Sequence, residues 1–266
     1  MLLPFKEWRN MLSTAKERQL KIVNRLKVEQ FMRIIDLVEL VNYSEATVKR
    51  DLVELEKEGL VRRTRGGAMI IDNKKIDLPY LMKMNERSNE TSKIRIADIA
   101  KSLIRDDMVI FLDSSSTSLH LIDVLSKFDG LQIITNGVMT ASMLSEFTNA
   151  RVSILGGSIL TKRYTVNGAK AYNDALTYNA DIAFVSCRGI DYDKGATETH
   201  EGEALIKQAF RRQSSSLVLL VTEEKVGHKF MHQSLACHDI DYLITDFKLD
   251  PDVEEQFKTH QITCLY

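Results

Sequence analysis

The chain has 266 residues, of which 44% are hydrophobic and 27% are charged, a composition typical of a globular protein. This length suffices for one large domain, or for a small domain joined to a medium one. No uninterrupted apolar run approaches the ~20 residues that cross a bilayer, which argues against a membrane protein. Three widely spaced cysteines, Cys187, Cys237 and Cys264, argue against a disulfide framework and favour the cytoplasm.

The formal net charge of −1 hides an uneven distribution along the chain. Residues 1–67 carry 14 Lys and Arg against 10 Asp and Glu, whereas the remainder carries 22 against 27. A basic N-terminal region attached to an acidic body fits a nucleic-acid-binding module joined to a second domain.

The first 14 residues contain charges at close intervals and lack a small-residue cleavage site, so we interpret 1–14 as a tail rather than a signal peptide. Met11 is an alternative start. Leu20, Val23 and Leu26 then recur at helical spacing and predict a first helix. Phe31 and Met32 predict a short edge strand, and the apolar residues of 37–41 predict a second helix.

The stretch after Asn42 and Tyr43 predicts a third helix with a polar outer face. Ser44 can accept a hydrogen bond from the amide of Thr47, so it is the expected N-cap. Apolar residues recur at helical spacing behind this cap: Val48, Leu52 and Leu55. The solvated face then carries Glu45, Thr47, Lys49 and Arg50.

Gly59 is expected to end this helix, and VRRTRGGAMI then predicts two short strands around a Gly66-Gly67 turn. This hairpin carries three arginines: Arg62, Arg63 and Arg65. An ordinary amphipathic helix and hairpin with solvated charges is the alternative interpretation. The hydroxyl cap, the Lys-Arg pair and the arginine-bearing turn together favour DNA binding by a recognition helix and a basic wing.

The run VNYSEATVKRDLVELEKEGLVRRTRGGA resembles the N-terminal signature of the DeoR family of bacterial transcription regulators. Lys49 replaces the usual first arginine of that signature, and Arg65 stands where the family often has histidine. The resemblance implies a winged helix-turn-helix over 15–70, with the helix-turn-helix at about 32–51. It also implies double-stranded operator DNA as a partner.

Residues 71–92 are polar and charged and predict a linker. From 93 to 266, helical and strand patterns alternate, which predicts an α/β domain with a largely parallel sheet. The predicted strands are 108–112, 131–135, 151–155, 181–186, 216–222 and 242–246. The first predicted helix carries Ile94, Ala97 and Ala100 on one face. The later predicted helices are 118–125, 138–147, 169–177 and 201–212.

Polar and glycine residues follow the predicted strands, where ligands bind in open parallel sheets. The first group is Asp113, Ser114, Ser115, Ser116 and Thr117, whose hydroxyls and amides suit an anion such as a sugar phosphate. A serine-rich turn that caps its own helix is an equally open interpretation. The other strand ends carry Thr135, Asn136, Gly156, Gly157, Arg188, Gly189 and Lys225. Arg188 and Lys225 are candidate cations for phosphate.

The body also resembles the DeoR family's C-terminal sensor over roughly 93–245, through FLDSSSTS, TNG, LGG, GID and ITD. That resemblance implies a fold similar to ribose-phosphate isomerases, glucosamine-phosphate deaminases and CoA transferases. Ser115 stands where the family commonly has glycine. The implied function is a repressor of a carbohydrate-metabolism operon, controlled by a phosphorylated sugar and acting as a homo-oligomer, a dimer or tetramer, without a cofactor.

Two other functions are weighed against regulation. In a sugar-phosphate isomerase or deaminase, Asp113, Glu198 and His200 are the candidate acid and base groups, although no compact catalytic constellation is apparent. His228, His232, Cys237 and His238 lie close enough in sequence to suggest zinc, but their spacing matches no firm motif. We therefore predict neither catalysis nor a metal site.

Overall fold

The computed structural model describes residues 14–71, 90–161 and 163–266. The predicted tail before Thr14, and the part of the predicted linker from 72 to 89, lie outside these ranges. The chain divides into two compact units, Met1–Glu86 and Arg87–Tyr266, called here the head and the body. Within the described ranges, no helix is both long enough and apolar enough to cross a membrane.

The head is a winged helix-turn-helix, as the sequence predicts. Its elements are α1 (Thr14–Glu29), β1 (Phe31–Arg33), α2 (Ile34–Val41), α3 (Glu45–Lys57), β2 (Val61–Arg63) and β3 (Gly67–Ile70). The strands form an antiparallel sheet in the order β1-β3-β2. The apolar faces of the three helices meet in one core, which contains Leu26, Leu37, Leu52 and Leu55.

Local signals set the boundaries of the helix-turn-helix. Arg33 occupies the N-cap of α2, and its guanidinium pairs with Asp36 at 2.9 Å. Asn42 ends α2 in the left-handed conformation with φ 55°, which asparagine tolerates better than most residues. Gly59 follows α3 with φ 74°, as expected for a glycine just beyond a helix C-terminus.

The wing differs from the prediction at Gly67, which lies in β3 rather than in the turn. Gly67 pairs with Arg33 of β1, and a Cβ at this position would lie 2.0 Å from the carbonyl oxygen of Met32. Glycine is therefore needed where β1 and β3 approach. The turn itself consists of Thr64, Arg65 and Gly66, and it is closed by a 2.9 Å bond from the Thr64 amide to the Gly67 carbonyl.

The body is built on a seven-stranded sheet, every adjacent pair of which is parallel. Its elements up to the middle of the chain are α4 (Glu90–Ala100), β4 (Val109–Leu112), α5 (Ile122–Leu125), β5 (Gln132–Thr135), α6 (Val138–Phe147), β6 (Arg151–Ile154), β7 (Ser158–Leu160) and β8 (Thr165–Asn167). They continue with α7 (Ala169–Ala175), β9 (Ala180–Ser186), β10 (Gly189–Asp191), β11 (Gly195–Glu198), α8 (Glu201–Arg212), β12 (Ser214–Val221), β13 (His232–Leu235), β14 (Tyr242–Thr245), α9 (Pro251–Thr259) and β15 (Thr263–Leu265). The main sheet confirms the α/β prediction.

Several elements were not predicted from the sequence. β15 adds an edge strand to the main sheet, and α9 precedes it. β10, β11 and β13 form a separate antiparallel sheet, and β7 pairs with β8. These strands have only three or four residues each, which is too short for an alternating pattern to be recognised.

Two predicted helices also differ in detail. α4 begins at Glu90, inside the predicted linker, and it buries Lys93, Ile96, Ala97 and Ala100. Ile94, expected on the buried face, is 40% exposed. The stretch predicted as one helix from 118 to 125 consists of a 3-10 helix, Ser118–Leu121, followed by α5.

The order of the main sheet is β15-β14-β12-β9-β4-β5-β6. From β4 the chain adds β5 and β6 on one side, and then returns to place β9 on the other side. The strand order therefore reverses between β4 and β9, and ligands of open α/β sheets bind at the carboxyl ends of strands beside such a reversal. Phe111 of β4 and Phe210 of α8 stack beneath this region, with ring centroids 4.3 Å apart.

Candidate DNA-binding surface and effector site

The recognition helix α3 has the orientation that its sequence pattern predicts. The Oγ of Ser44 accepts a 3.3 Å hydrogen bond from the amide of Thr47 and so caps the helix. Val48, Leu52 and Leu55 are buried, while Ser44, Glu45, Lys49 and Arg50 are exposed and Thr47 is half-buried. Lys49 pairs with Glu45 at 2.6 Å.

The inner face of α3 is fixed by a buried carboxylate. Asp51 accepts a 3.0 Å hydrogen bond from the guanidinium of Arg18 and a 3.3 Å bond from the amide group of Gln19, both on α1. Arg18 also lies 4.3 Å from the ring centroid of Tyr43. Its hydrogen bond to Asp51 raises the pKa of Arg18, so the guanidinium remains charged. This network fixes α3 against α1, with Arg50 on the solvent side.

The wing carries three exposed arginines, but they are not equivalent. Arg63 forms a 2.7 Å ion pair with Glu56 of α3. Arg62 and Arg65 have no ion pair with any residue that the structure describes. Gly66, at the turn, has open space around its Cα. Among the cations predicted to bind DNA, three thus have no ion-pair partner in the described part of the chain: Arg50, Arg62 and Arg65.

In the body, Asp113 lies at the reversal between β4 and β9 and is only 2% exposed. Its Oδ2 accepts a 2.9 Å hydrogen bond from the Ser186 amide at the end of β9. Its Oδ1 accepts from the Ser115 amide at 3.0 Å and from the Ser118 hydroxyl at 2.5 Å. Asp113 therefore fixes the loop after β4 rather than facing a ligand.

A second network joins this loop to the neighbouring strand ends. The Ser114 amide donates to Asn136 Oδ1 at 3.1 Å, and the Ser114 hydroxyl donates to Thr165 Oγ1 at 2.9 Å. Asn136 Nδ2 donates to the same Thr165 oxygen at 2.8 Å. Thr135, also buried, accepts from the Gly137 amide at 3.0 Å. Thr135 and Asn136, predicted to bind the effector, are therefore part of the scaffold.

The cation of the site is Lys225, in the 3-10 helix Glu223–Lys225 that follows β12. Its Nζ donates to Ser186 Oγ at 2.8 Å and to Thr117 Oγ1 at 3.3 Å. The amides of Ser114, Ser115 and Ser118 have side-chain acceptors, whereas those of Ser116 and Thr117 have none in the described part of the chain. The ammonium therefore meets two hydroxyls at the strand reversal, next to a turn with two amides that have no described acceptor, a combination that suits an oxyanion.

Behind this site lies a buried cluster of two carboxylates and one ammonium. Lys207 Nζ lies 2.5 Å from Glu198 Oε1 and 3.7 Å from Asp113 Oδ2. Burial alone would lower the pKa of Lys207, but Glu198 and Asp113 outweigh it and raise the pKa. Burial raises the pKa of Glu198, and Lys207 opposes that shift. Lys207 was not among the predicted residues. Its position among the apolar residues of α8 could have indicated a buried lysine.

The remaining predicted effector residues have other contacts within the body. The Gly156 amide donates to Asp174 at 2.7 Å, and Gly157 packs closely against Asn167 and Val166. Arg188 lies 5.3 Å from the ring centroid of Phe230. Gly189 begins β10, where a Cβ would lie 2.4 Å from the His228 carbonyl oxygen. The backbone packing of Gly157 and Gly189 explains these two glycines without a ligand.

The alternative chemistries find little support in the arrangement. Glu198 and Asp113 both contact Lys207, and His200 is an exposed N-cap residue of α8. Burial raises the pKa of the Cys187 thiol to about 12, so it is not a reactive thiolate at neutral pH. Among the residues that the structure describes, no group of three or more His, Cys, Asp and Glu side chains could hold a metal ion.

A capped recognition helix, a basic wing and a separate α/β domain with polar groups at a strand reversal define a DNA-binding transcription regulator with a sensor domain. Two family models match the same two regions: the DeoR-like helix-turn-helix domain over residues 18–74, and the DeoR C terminal sensor domain over residues 88–247. The chain belongs to the DeoR family of transcriptional regulators.

Curated relatives match along most of their length. The HTH-type transcriptional regulator YulB of Bacillus subtilis is 32% identical, over 88% of this chain and 90% of that protein. The HTH-type transcriptional repressor GlcR of Bacillus subtilis is 29% identical, over 87% and 88%. The L-fucose operon activator of Haemophilus influenzae is 27% identical, over 86% and 91%. These relatives are transcription regulators, and the enzyme alternative is set aside.

Solved structures share parts of the fold. A ribose 5-phosphate isomerase A from Methanocaldococcus jannaschii aligns with 52% of this chain and 55% of its own, at 19% identity and a TM-score of 0.39. The translation initiation factor eIF-2B from Pyrococcus horikoshii aligns with 92% of this chain and 96% of its own, at 14% identity and a TM-score of 0.48.

Proposed function

We propose that this protein is a repressor of a carbohydrate-metabolism operon, controlled by a phosphorylated sugar, and that it acts in the cytoplasm on double-stranded operator DNA. The name of the L-fucose operon activator supports a sugar operon as the target, and that of GlcR supports repression. The position of Lys225 at the strand reversal is the observation that supports the effector, because its ammonium donates to the hydroxyls of Ser186, at the end of β9, and of Thr117, in the turn after β4.

For DNA binding, the first turns of α3 enter the major groove and the wing lies against the backbone. The contacting residues on α3 are Ser44, Glu45, Thr47, Lys49 and Arg50, and those on the wing are Arg62, Arg65 and Gly66. Arg50 is the best candidate for a base contact, because it is exposed at the helix start and arginine bonds guanine through two donors.

For effector binding, the phosphate group lies between Lys225 and the turn at Ser116 and Thr117. Asp113 and Ser114 hold this turn in place through bonds to the neighbouring strand ends. The site therefore has its shape before the ligand arrives, which reduces the entropy lost on binding. An anion here would replace the hydroxyls of Ser186 and Thr117 as acceptors of the ammonium protons.

The protein would act as a homo-oligomer, a dimer or a tetramer. One winged head reads too few bases to specify an operator, whereas paired heads read two half-sites. The sugar can alter DNA affinity only if it binds one arrangement of the assembly more tightly than another. Sedimentation-equilibrium measurements with and without operator DNA would determine the assembly, and a monomer on DNA would contradict this part of the proposal.

Thermal-shift measurements test the effector site directly. Ribose 5-phosphate, fructose 6-phosphate and glucosamine 6-phosphate are compared with the same sugars without phosphate, since a ligand of the folded state adds about 2.7 kcal/mol at 100 times its dissociation constant. We expect stabilisation by at least one phosphorylated sugar, lost in Lys225→Met and Thr117→Val but retained in the exposed control Lys127→Met. Stabilisation that survives Lys225→Met would place the ligand elsewhere. No response to any of the three phosphorylated sugars would contradict the proposed effector.

A further inference from the structure

Two hydrogen bonds connect the recognition helix to the wing through one carboxylate. Oε1 of Glu56 on α3 accepts from the backbone amide of Arg63 at 2.8 Å, and Oε2 accepts from its Nε at 2.7 Å. Together these bonds lower the pKa of Glu56, the backbone bond most strongly, so the carboxylate is charged at neutral pH. We call this pair the Glu56–Arg63 bridge. Its backbone bond fixes the strand itself, and not only a side chain.

The bridge lies next to the arginines that have no ion pair within the described part of the head. Successive side chains of a strand point to opposite faces, so Arg62 projects away from the face that carries Val61 and Arg63. Val61 is buried in the head core, and Arg62 is exposed. Arg65 follows in the turn, two residues after the bridged strand position. The bridge therefore fixes the backbone between Arg62 and Arg65.

We propose that Glu56 and Arg63 are positioning residues for DNA binding, and that Arg63 does not itself contact DNA. The bridge holds Arg62 and Arg65 at a fixed angle to α3, so that the helix and the wing reach the duplex together. Without it, the wing would have to be ordered when DNA binds, and that loss of freedom would weaken the complex. This assignment replaces the sequence-based prediction that Arg63 is a DNA contact.

An ordinary surface ion pair would behave in the opposite way. If Glu56 merely neutralised a DNA-contacting Arg63, its removal would free a cation and take a negative charge away from the phosphates. Glu56→Ala would then bind DNA more tightly. The proposal requires weaker binding, so the sign of the change separates the two explanations.

The experiment uses the full-length protein and a duplex operator obtained by selection from random sequences, with affinity measured by fluorescence anisotropy over a range of KCl concentrations. We expect Glu56→Ala and Arg63→Gln each to weaken binding by about three- to tenfold, and the double variant to match the single ones. The slope of log affinity against log salt stays unchanged, because the same phosphates are neutralised in the complex. Arg62→Gln is the comparison, and it should reduce that slope by about 1.

Two controls separate positioning from loss of fold and from a general charge effect. Glu29→Ala removes the partner of Arg25 in an exposed 2.9 Å ion pair on α1, and it should leave DNA affinity unchanged. Glu56→Gln retains an acceptor for the Arg63 amide, and it should recover part of the affinity that Glu56→Ala loses. Tighter or unchanged binding by Glu56→Ala, or a lower salt slope for Arg63→Gln, would overturn the proposal. If Glu56→Ala lowers the melting temperature, the test rests on Glu56→Gln and Arg63→Gln. Weaker binding than the wild type with an unchanged salt slope supports the proposal, and tighter or unchanged binding or a lower salt slope overturns it.

Discussion

The head exposes the arginines Arg50 and Arg65, which have no ion pair in the described part of the chain, whereas the body buries Asp113 and bonds it to the Ser186 amide. The two arrangements suit different ligands. DNA presents a row of phosphates to an open surface, so the head needs cations that can reach outward. A small anion must be enclosed by donors already in place, so the body needs a rigid loop, and most polar groups at its strand ends maintain that loop.

The largest effect should follow from removing the buried ammonium of Lys207 in the body. Lys207→Met leaves Glu198 and Asp113 without their ammonium in the interior, and breaking a buried pair in this way costs about 3–5 kcal/mol. We expect a loss of this size in the free energy of unfolding of the body, measured by urea titration with circular dichroism. The exposed control Lys194→Met should change it little. A loss below about 1 kcal/mol would mean that water or a rearrangement replaces the ammonium.

The pH dependence of the same variant sharpens this test. Because burial raises the pKa of Glu198 above its ordinary 4.5, the folded state binds this proton more tightly than the unfolded state does. Glu198 therefore favours folding most below pH 4.5, and that contribution is lost as pH rises through the raised pKa. Lys207→Met raises the pKa further. We expect its melting temperature to fall more steeply with increasing pH above 4.5 than that of the wild type; parallel curves would contradict the coupling.

The next largest effect should come from removing an exposed arginine of the head. Arg50→Ala removes a candidate base contact, and one bidentate arginine–guanine contact is worth about 1–3 kcal/mol, or roughly five- to 150-fold in affinity. We expect weaker binding to the selected operator, with little change in sugar-phosphate stabilisation of the body. Anisotropy and thermal shift measure the two responses separately. Arg25→Ala is the matched control, and equal loss of both responses in Arg50→Ala would indicate a folding defect.

The head could be predicted in detail from the sequence because its signals are local. The cap at Ser44, the apolar spacing from Val48 to Leu55 and the stop at Gly59 each act within one or two turns. Gly67 was misplaced because its conformation depends on β1, more than 30 residues earlier, where Met32 leaves no room for a side chain. The bonds of Arg63 to Glu56 could not be predicted, because they depend on how the wing folds back towards α3.

The body was predicted in outline, and its site only in part. Strand and helix alternation indicated the parallel sheet, and the polar strand ends indicated the region of Asp113, Thr117 and Lys225. What the sequence did not reveal was which of these groups bond to each other. Ser186 was missed because its partner Asp113 lies 73 residues away and becomes a neighbour only through the strand order. Lys207 was missed because its bond to Glu198, 9 residues earlier, depends on how α8 packs after β11.

The smallest expected effect concerns the cap that begins α3. Ser44→Ala removes the oxygen that accepts from the Thr47 amide, and loss of such a cap typically costs about 1 kcal/mol. Ser44→Gly should cost only a few tenths, roughly 0.3 kcal/mol, since glycine is tolerated at this position. If Ser44 only caps the helix, operator affinity in the two variants should follow the loss of head stability measured by urea unfolding. A much larger loss of affinity than of stability, equal in both variants, would mean that the hydroxyl also contacts DNA, because both variants lack it while only alanine disrupts the cap.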